Sequence, residues 1–199
     1  MGDPMKFESF VREYGTPKPD TAADLARLRL DHSAGLRELS TEVGAGVFGG
    51  GFISLMSVRE AVDSLGGWER WLPAGARLFG CSAFGVLMTT TTGEDVWIVD
   101  TQYGQVVESD DTIEDFIGVL ATPDCRETVL REPLFKLWNE VVGGLPPTSV
   151  LSPTPALPMG GRWSVDTLNI VTLAVYLSFT AQLFGPEGGT PVEVHRRGK

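Results

Sequence analysis

Histidine and cysteine are scarce in this 199-residue chain, which has only His32 and His195 and only Cys81 and Cys125. A Ser-His-Asp or Cys-His site would have to recruit one of the two histidines, one in a helix connection and one near the end of the sequence. No catalytic residue is therefore assigned. The cysteines have no CxxC partner and no neighbouring histidine, which excludes a zinc knuckle or redox pair and leaves two reduced thiols. Neither a metal nor a cofactor is expected. The first residues also lack an apolar run of the kind that precedes a cleavage site, so a cytoplasmic protein is expected.

Basic residues are missing from one long stretch. Between Leu78 and Cys125 there is no Lys, Arg or His, yet there are nine acids: Glu94, Asp95, Asp100, Glu108, Asp110, Asp111, Glu114, Asp115 and Asp124. The whole chain carries 26 acids against 16 Lys and Arg, a formal charge of -10, so the rest of it is nearly balanced at 17 to 16. A nucleic-acid reader neutralises phosphates with clustered bases, so direct nucleic-acid binding is excluded and a basic protein surface is the natural partner. With 42% apolar and 21% charged residues the chain is globular, long enough for one domain or two small ones.

What is present reads as α+β. Phe7, Phe10, Val11 and Tyr14 recur at helical spacing, and Asp20 to Leu30 and Ser33 to Val43 read as two more helices. After a glycine-rich bend at Gly44 to Gly51, Phe52 to Leu55 reads as a strand, and Ser57 with Glu60 forms a capping box for a helix to about Gly66. Four strands then follow, Arg77 to Cys81, Gly85 to Thr91, Asp95 to Asp100 and Gln105 to Ser109, in an antiparallel meander. Helices are predicted over Thr112 to Leu120, from Thr122 toward Arg131, and over Leu134 to Val142. Leu145 to Arg162 is proline-rich and suits a linker. Ser164 to Phe184 reads as one buried helix, too interrupted by Asn169, Thr172, Ser178, Thr180 and Gln182 for a membrane span. The segment 186–199 is expected to be mobile.

Two patterns invite chemistry. Gly44-Ala45-Gly46-Val47-Phe48-Gly49 matches GxGxxG, but a dinucleotide fingerprint runs strand, glycines, helix, and here the order is helix, glycines, strand. It is read as a flexible bend. The acids around Asp110 satisfy no EF-hand spacing, and acids at a helix start complement its dipole and cap its amides. Capping alone does not require the absence of every base for so long. Gathered on one face, these acids would steer a basic partner.

The order of several motifs resembles the bacterial GAD-like domain followed by the helical C-terminal domain of type VI secretion immunity proteins. They are Phe48 to Met56, Trp68 to Leu72, Ser82-Ala83-Phe84-Gly85, Leu134-Phe135 with Gly143-Gly144-Leu145, Pro155-Ala156-Leu157 and Gly160-Gly161. The likeness spans about Met5 to Gly185. Where the family carries an acidic and aromatic stretch before Pro-Ala-Leu, this chain has Ser149, Val150, Leu151 and Pro153. The resemblance implies a GAD-like α+β domain over 5–120, a meander flanked by helices, then a smaller helical domain over 121–185. It implies an antidote without catalytic activity that neutralises a secreted DNase toxin. Expected partner-binding residues are Glu94, Asp95, Glu108, Asp110, Asp111, Glu114 and Asp115, with Trp68, Trp71 and Tyr103 as aromatic anchors beside Trp97 and Trp163. No membrane partner is expected, and oligomeric state is left open. The competing reading is a small-ligand-binding or scaffold domain.

Overall fold

The computed structural model describes residues 7–16, 34–55, 65–91, 95–185 and 192–196. The helices expected over 20–30 and 57–66 lie outside the described residues, as does Glu94. Two short helices, α1 (Glu8–Tyr14) and α2 (Ala34–Glu42), precede strands β1 (Gly46–Phe48) and β2 (Ile53–Leu55). A 3-10 turn at Trp68–Trp71 leads to β3 (Arg77–Ser82), β4 (Val86–Thr90), β5 (Val96–Asp100) and β6 (Gln105–Glu108). Then come α3 (Ile113–Leu120), a π-helical turn at Cys125–Val129, α4 (Glu132–Val142), β7 (Ser149–Pro153), β8 (Leu168–Thr172), α5 (Leu173–Leu183) and β9 (Glu193–His195).

Strands β1 to β6 are laid down in chain order, each antiparallel to the last, and β9 closes the far edge parallel to β6. β7 and β8 form a separate antiparallel hairpin. The architecture is thus α+β with a mostly antiparallel sheet, as expected, and the C-terminal helical region carries an added hairpin. Successive side chains of a strand point to opposite faces, and the core divides accordingly. Phe79, Met88 and Val96 join a cluster with Phe10, Leu39, Phe116 and Phe135. Leu78, Leu87, Trp97, Val99 and Val106 join another with Trp68, Val150, Tyr176, Leu177 and Phe184. Helices α1 to α4 therefore cover one face of the sheet, while α5 and the Trp68 turn cover the other.

Local sequence explains α3 well. Ile113, Phe116, Ile117 and Leu120 fall on one stripe and are all buried, each contributing about 1.5–3 kcal/mol by leaving water. Thr112 caps the start by accepting a bond from the Asp115 N–H at 3.1 Å. α4 stops at Gly143, which is left-handed at φ 87 and returns its N–H to Asn139 O.

Four expectations are corrected. The stretch 164–184 is not one helix: β-branched Ile170, Val171 and Thr172 pair with β7, and the helix starts only at Leu173. The proline-rich segment is no linker, because Ser149 to Pro153 is a buried strand with its proline at the last position, where a missing N–H costs little. The glycine-rich bend contains β1, paired to β2 from Gly46–Leu55 to Phe48–Ile53. The segment expected to be mobile contributes β9.

Glycines seat the C-terminal elements. A β-carbon on Gly85 would lie 2.4 Å from the Tyr176 ring, and one on Gly104 would lie 2.4 Å from the Phe184 ring. Gly66 and Gly51 meet Leu177 and Leu145 in the same way, each at 2.6 Å. Absent side chains on the sheet side make notches for the side chains of α5 and the segment after α4.

Candidate partner-binding surface

The hairpin register decides where the acids go. Trp97 pairs with Glu108, and the Ser109 N–H donates to Val96 O at 2.8 Å, so Asp95 stands across from the chain as it leaves β6. The next residues are Asp110, Asp111 and the first turn of α3 with Glu114 and Asp115. Six of the seven acids expected at the site therefore converge at the open end of the β5–β6 hairpin. Asp95, Asp110 and Asp115 are exposed; Glu108, Asp111 and Glu114 are half-buried. Asp100 sits at the other end of β5, and Asp124 lies beyond the far end of α3.

These acids also have structural work. Ser109 Oγ donates to Asp111 Oδ2 at 2.7 Å and receives the Asp111 N–H at 3.2 Å. Thr112 Oγ1 donates to Asp115 Oδ2 at 2.8 Å while capping the helix. The bonds hold the carboxylates in place and leave Asp115 facing water. A preorganised carboxylate loses less entropy when a partner arrives.

The aromatic residues expected as anchors part company. Trp68 is fully buried in the second core cluster, where its indole N–H donates to Thr180 Oγ1 at 3.1 Å. Its side chain offers no surface. Trp97 is likewise buried. Trp71 is half-buried against that cluster, with Arg70 stacked 4.7 Å from its ring centre. Tyr103 is 48% exposed, in the turn that closes the β5–β6 hairpin. It is also held: its hydroxyl accepts from Trp163 Nε1 at 3.1 Å, and the Arg131 guanidinium lies 5.4 Å from its ring and 4.7 Å from that of Trp163.

Sequence reasoning missed Arg131. It adopts the left-handed conformation at φ 56, unusual for a side-chain-bearing residue, at the junction that opens α4. No spacing pattern signals it, since it joins Tyr103 and Trp163 only through tertiary contact. Beneath it, Asp100 lies 4.0 Å away and accepts the Gln102 and Tyr103 N–H groups. Burial pushes the Asp100 carboxyl above its ordinary value, and the Arg131 charge and the two backbone bonds offset only part of that rise.

At the glycines the described backbone turns between α2 and β2 and passes through β1. A groove of about 630 Å³ runs between Gly46, Gly49, Gly50 and the segment Gly143 to Pro147. Its walls are backbone, proline and aliphatic carbon, apart from Thr16 and Tyr14, and the Tyr14 hydroxyl already donates to Leu120 O. Among the described residues, the glycines lead into strands β1 and β2 and not into a helix N-terminus that could receive a phosphate. Among the described residues, no three His, Cys, Asp or Glu side chains group as metal ligands, and no helix is long and apolar enough to cross a membrane.

Comparison with known proteins bears on the region that follows β6. A crystal structure of Atu4351 from Agrobacterium tumefaciens is similar over 88% of this chain and 88% of its own, with a TM-score of 0.65 and 18% identity, a likeness of fold. No curated protein matches. Residues 110–184 match the family model of the type VI secretion system immunity protein Tdi1, C-terminal. The match opens at Asp110 on the acidic edge and closes at Phe184, the residue seated on Gly104. Over that stretch, less than half of its length, the chain is similar to the C-terminal domain of a type VI secretion system immunity protein.

Proposed function

We propose that this chain is a stoichiometric inhibitor of a secreted DNA-cleaving toxin, and that it works by laying the edge formed by Asp95, Glu108, Asp110, Asp111, Glu114 and Asp115 against the basic surface with which the toxin holds DNA. Support comes chiefly from the convergence of those acids at one end of a single hairpin. A DNase must offer clustered Lys and Arg to its substrate, so an acidic edge is drawn to the same surface and competes for it.

Charge accelerates encounter but gives a complex little lifetime; a buried aromatic centre supplies that. Tyr103 is the best placed of the expected anchors. It is exposed, fixed by Trp163 and Arg131, and separated from the acids by the length of one short hairpin, about 15–20 Å at the usual rise per residue. A standard interface of about 800 Å² per partner is roughly 30 Å across and spans both. Glu94, outside the described residues, joins the reading on sequence position, and Trp71 lies at its margin. Trp68 drops out of it.

The test is co-purification with a nuclease toxin encoded beside this protein, followed by a DNA-cleavage assay. An equimolar amount is expected to abolish cleavage. A nuclease that still cuts DNA while saturated with this protein would refute the proposal.

A further inference from the structure

Three distant segments meet around one guanidinium. Tyr103 comes from the turn that closes the β5–β6 hairpin, Arg131 from the junction before α4, and Trp163 from the connection between β7 and β8. Trp163 is tied to the interior, its ring centre 5.3 Å from that of buried Phe84 and the two rings nearly perpendicular. Arg131 is held on its other sides as well: Nη1 donates to Val129 O at 2.8 Å, and Nη2 lies 4.0 Å from Asp100. With only 17% of its side chain exposed, Arg131 braces the rings and offers little surface of its own.

Backbone and side chain have opposed preferences here. At φ 56 and ψ 42 the Arg131 backbone is left-handed, where a β-carbon crowds the following carbonyl and glycine or asparagine is favoured. Starting α4 does not call for arginine, since the Arg131 side chain makes no capping bond. What arginine adds is a planar cation shared by two rings. The bond from Trp163 Nε1 fixes more than a ring: it occupies a lone pair of the Tyr103 hydroxyl and leaves that hydroxyl's one hydrogen to donate. Among the described residues it has no acceptor. Tyr103 thus presents a half-exposed aromatic face with a donor at its tip, both set before a partner arrives.

We propose that Arg131 is a positioning residue of the interface, which through Tyr103 sets how long the complex lasts, and that the toxin offers Tyr103 a hydrogen-bond acceptor. This rests on the reading of the chain as a toxin inhibitor. An immobilised ring loses little freedom on binding, so its contacts act on dissociation, whereas the acids at the other end of the hairpin act on encounter. One hairpin then carries lifetime at its turn and rate at its open end.

The test uses the full chain and the nuclease toxin encoded beside it, with association and dissociation rates measured separately. Arg131→Gly suits the backbone and removes the guanidinium; it is expected to speed dissociation about tenfold and to leave association within about twofold. Arg131→Lys keeps the charge without the planar stack and is expected to behave like Arg131→Gly. Full rescue by lysine would reduce Arg131 to a charge and overturn the proposal. Tyr103→Phe keeps the ring and loses the donor, and should speed dissociation about five- to tenfold. In a Tyr103→Ala background, Arg131→Gly should add less than about twofold, because a residue acting through Tyr103 has nothing left to position. A second readout needs no toxin: in a nitrogen-15 NMR spectrum of the free protein, the Trp163 indole signal, identified by its loss in Trp163→Phe, should move toward the position of a solvent-exposed indole in Arg131→Gly. A Trp163 signal that stays in place, or unchanged dissociation in Arg131→Gly or Tyr103→Phe, overturns the proposal. If charge reversal of the acids leaves association alone while Arg131→Gly speeds dissociation, the acidic edge falls and the Tyr103 anchor stands. If the wild type does not bind the toxin at all, the inhibitor reading falls and the role of Arg131 at its interface falls with it.

Discussion

At the scale of single residues, the chain depends on atoms it leaves out. Gly85 needs a positive φ of 78 and also receives the Tyr176 ring, so a methyl group there meets both backbone strain and a clash. Gly85→Ala is expected to cost about 2–4 kcal/mol, combining the two penalties, and to lower the urea midpoint accordingly. Gly15, left-handed but with open space around it, should lose only the strain. Tyr176 itself shares a 2.6 Å hydrogen bond with Thr101 and accepts from Gln102 Nε2, so the notch fixes a buried polar network as well as a ring. Asp100, beside that network, makes a prediction in pH. Its folded pKa is raised, so the folded state holds the proton more tightly than the unfolded chain, and the ionised carboxylate weighs against folding at neutral pH. That cost fades as the pH falls through the raised value and is gone below the ordinary 3.8. The stability of wild type relative to Asp100→Asn should therefore shift in favour of wild type as the pH is lowered, measured by unfolding at a series of pH values. A difference that stays flat, or shifts the other way, would refute the assignment.

At the scale of elements, legibility followed local information. The four meander strands and α3 were readable because alternation, the 113, 116, 117, 120 stripe and the Thr112 cap are written within a few residues of each other. Thr112→Ala should cost about 1 kcal/mol and should raise amide exchange in the first turn of α3 before it touches the rest of the sheet. Loss of protection spread evenly over the whole protein would mean that the cap does not act locally. The last element was misread because an apolar run of Leu168 to Phe184 fits a buried helix and a buried strand equally. What split it was β7, a strand hidden in a proline-rich segment whose composition suggested a linker. Ser149 to Pro153 is fully buried because the β3–β4 turn lies on it, with the Leu151 N–H donating to Ala83 O. No window of sequence contains that contact. Arg126 makes the same point on the other face of the sheet: it pairs with Glu13 of α1 and with Glu132 of α4, the latter at 2.7 Å, and so ties together two helices more than a hundred residues apart.

At the scale of the whole molecule, the charge of -10 matters through its placement. Reversing Asp95, Glu108, Asp110 and Glu114 together is expected to slow association with the toxin by at least about tenfold at low ionic strength and to flatten its salt dependence, read by stopped flow. Asp115 and Asp111 are best left alone in that experiment, since their oxygens hold the start of α3. An unchanged on-rate at low salt would remove the edge from the interface. That a 48-residue stretch carries nine acids and no base, that its strands alternate and that Thr112 caps its helix could be read before the fold was known, because composition and periodicity are properties of neighbours along the chain. The sequence also carried the motifs by which residues 110–184 match an immunity family. Tertiary contact alone sets six of the acids at one end of a hairpin and leaves Asp100 and Asp124 away from it, makes Trp68 core and Tyr103 surface, and lays β9 parallel to β6. Those facts depend on register, on which face of a sheet a side chain meets, and on the direction of a strand pairing across 88 residues, where a shift of one residue or a reversal of sense would leave the sequence unchanged and the surface different.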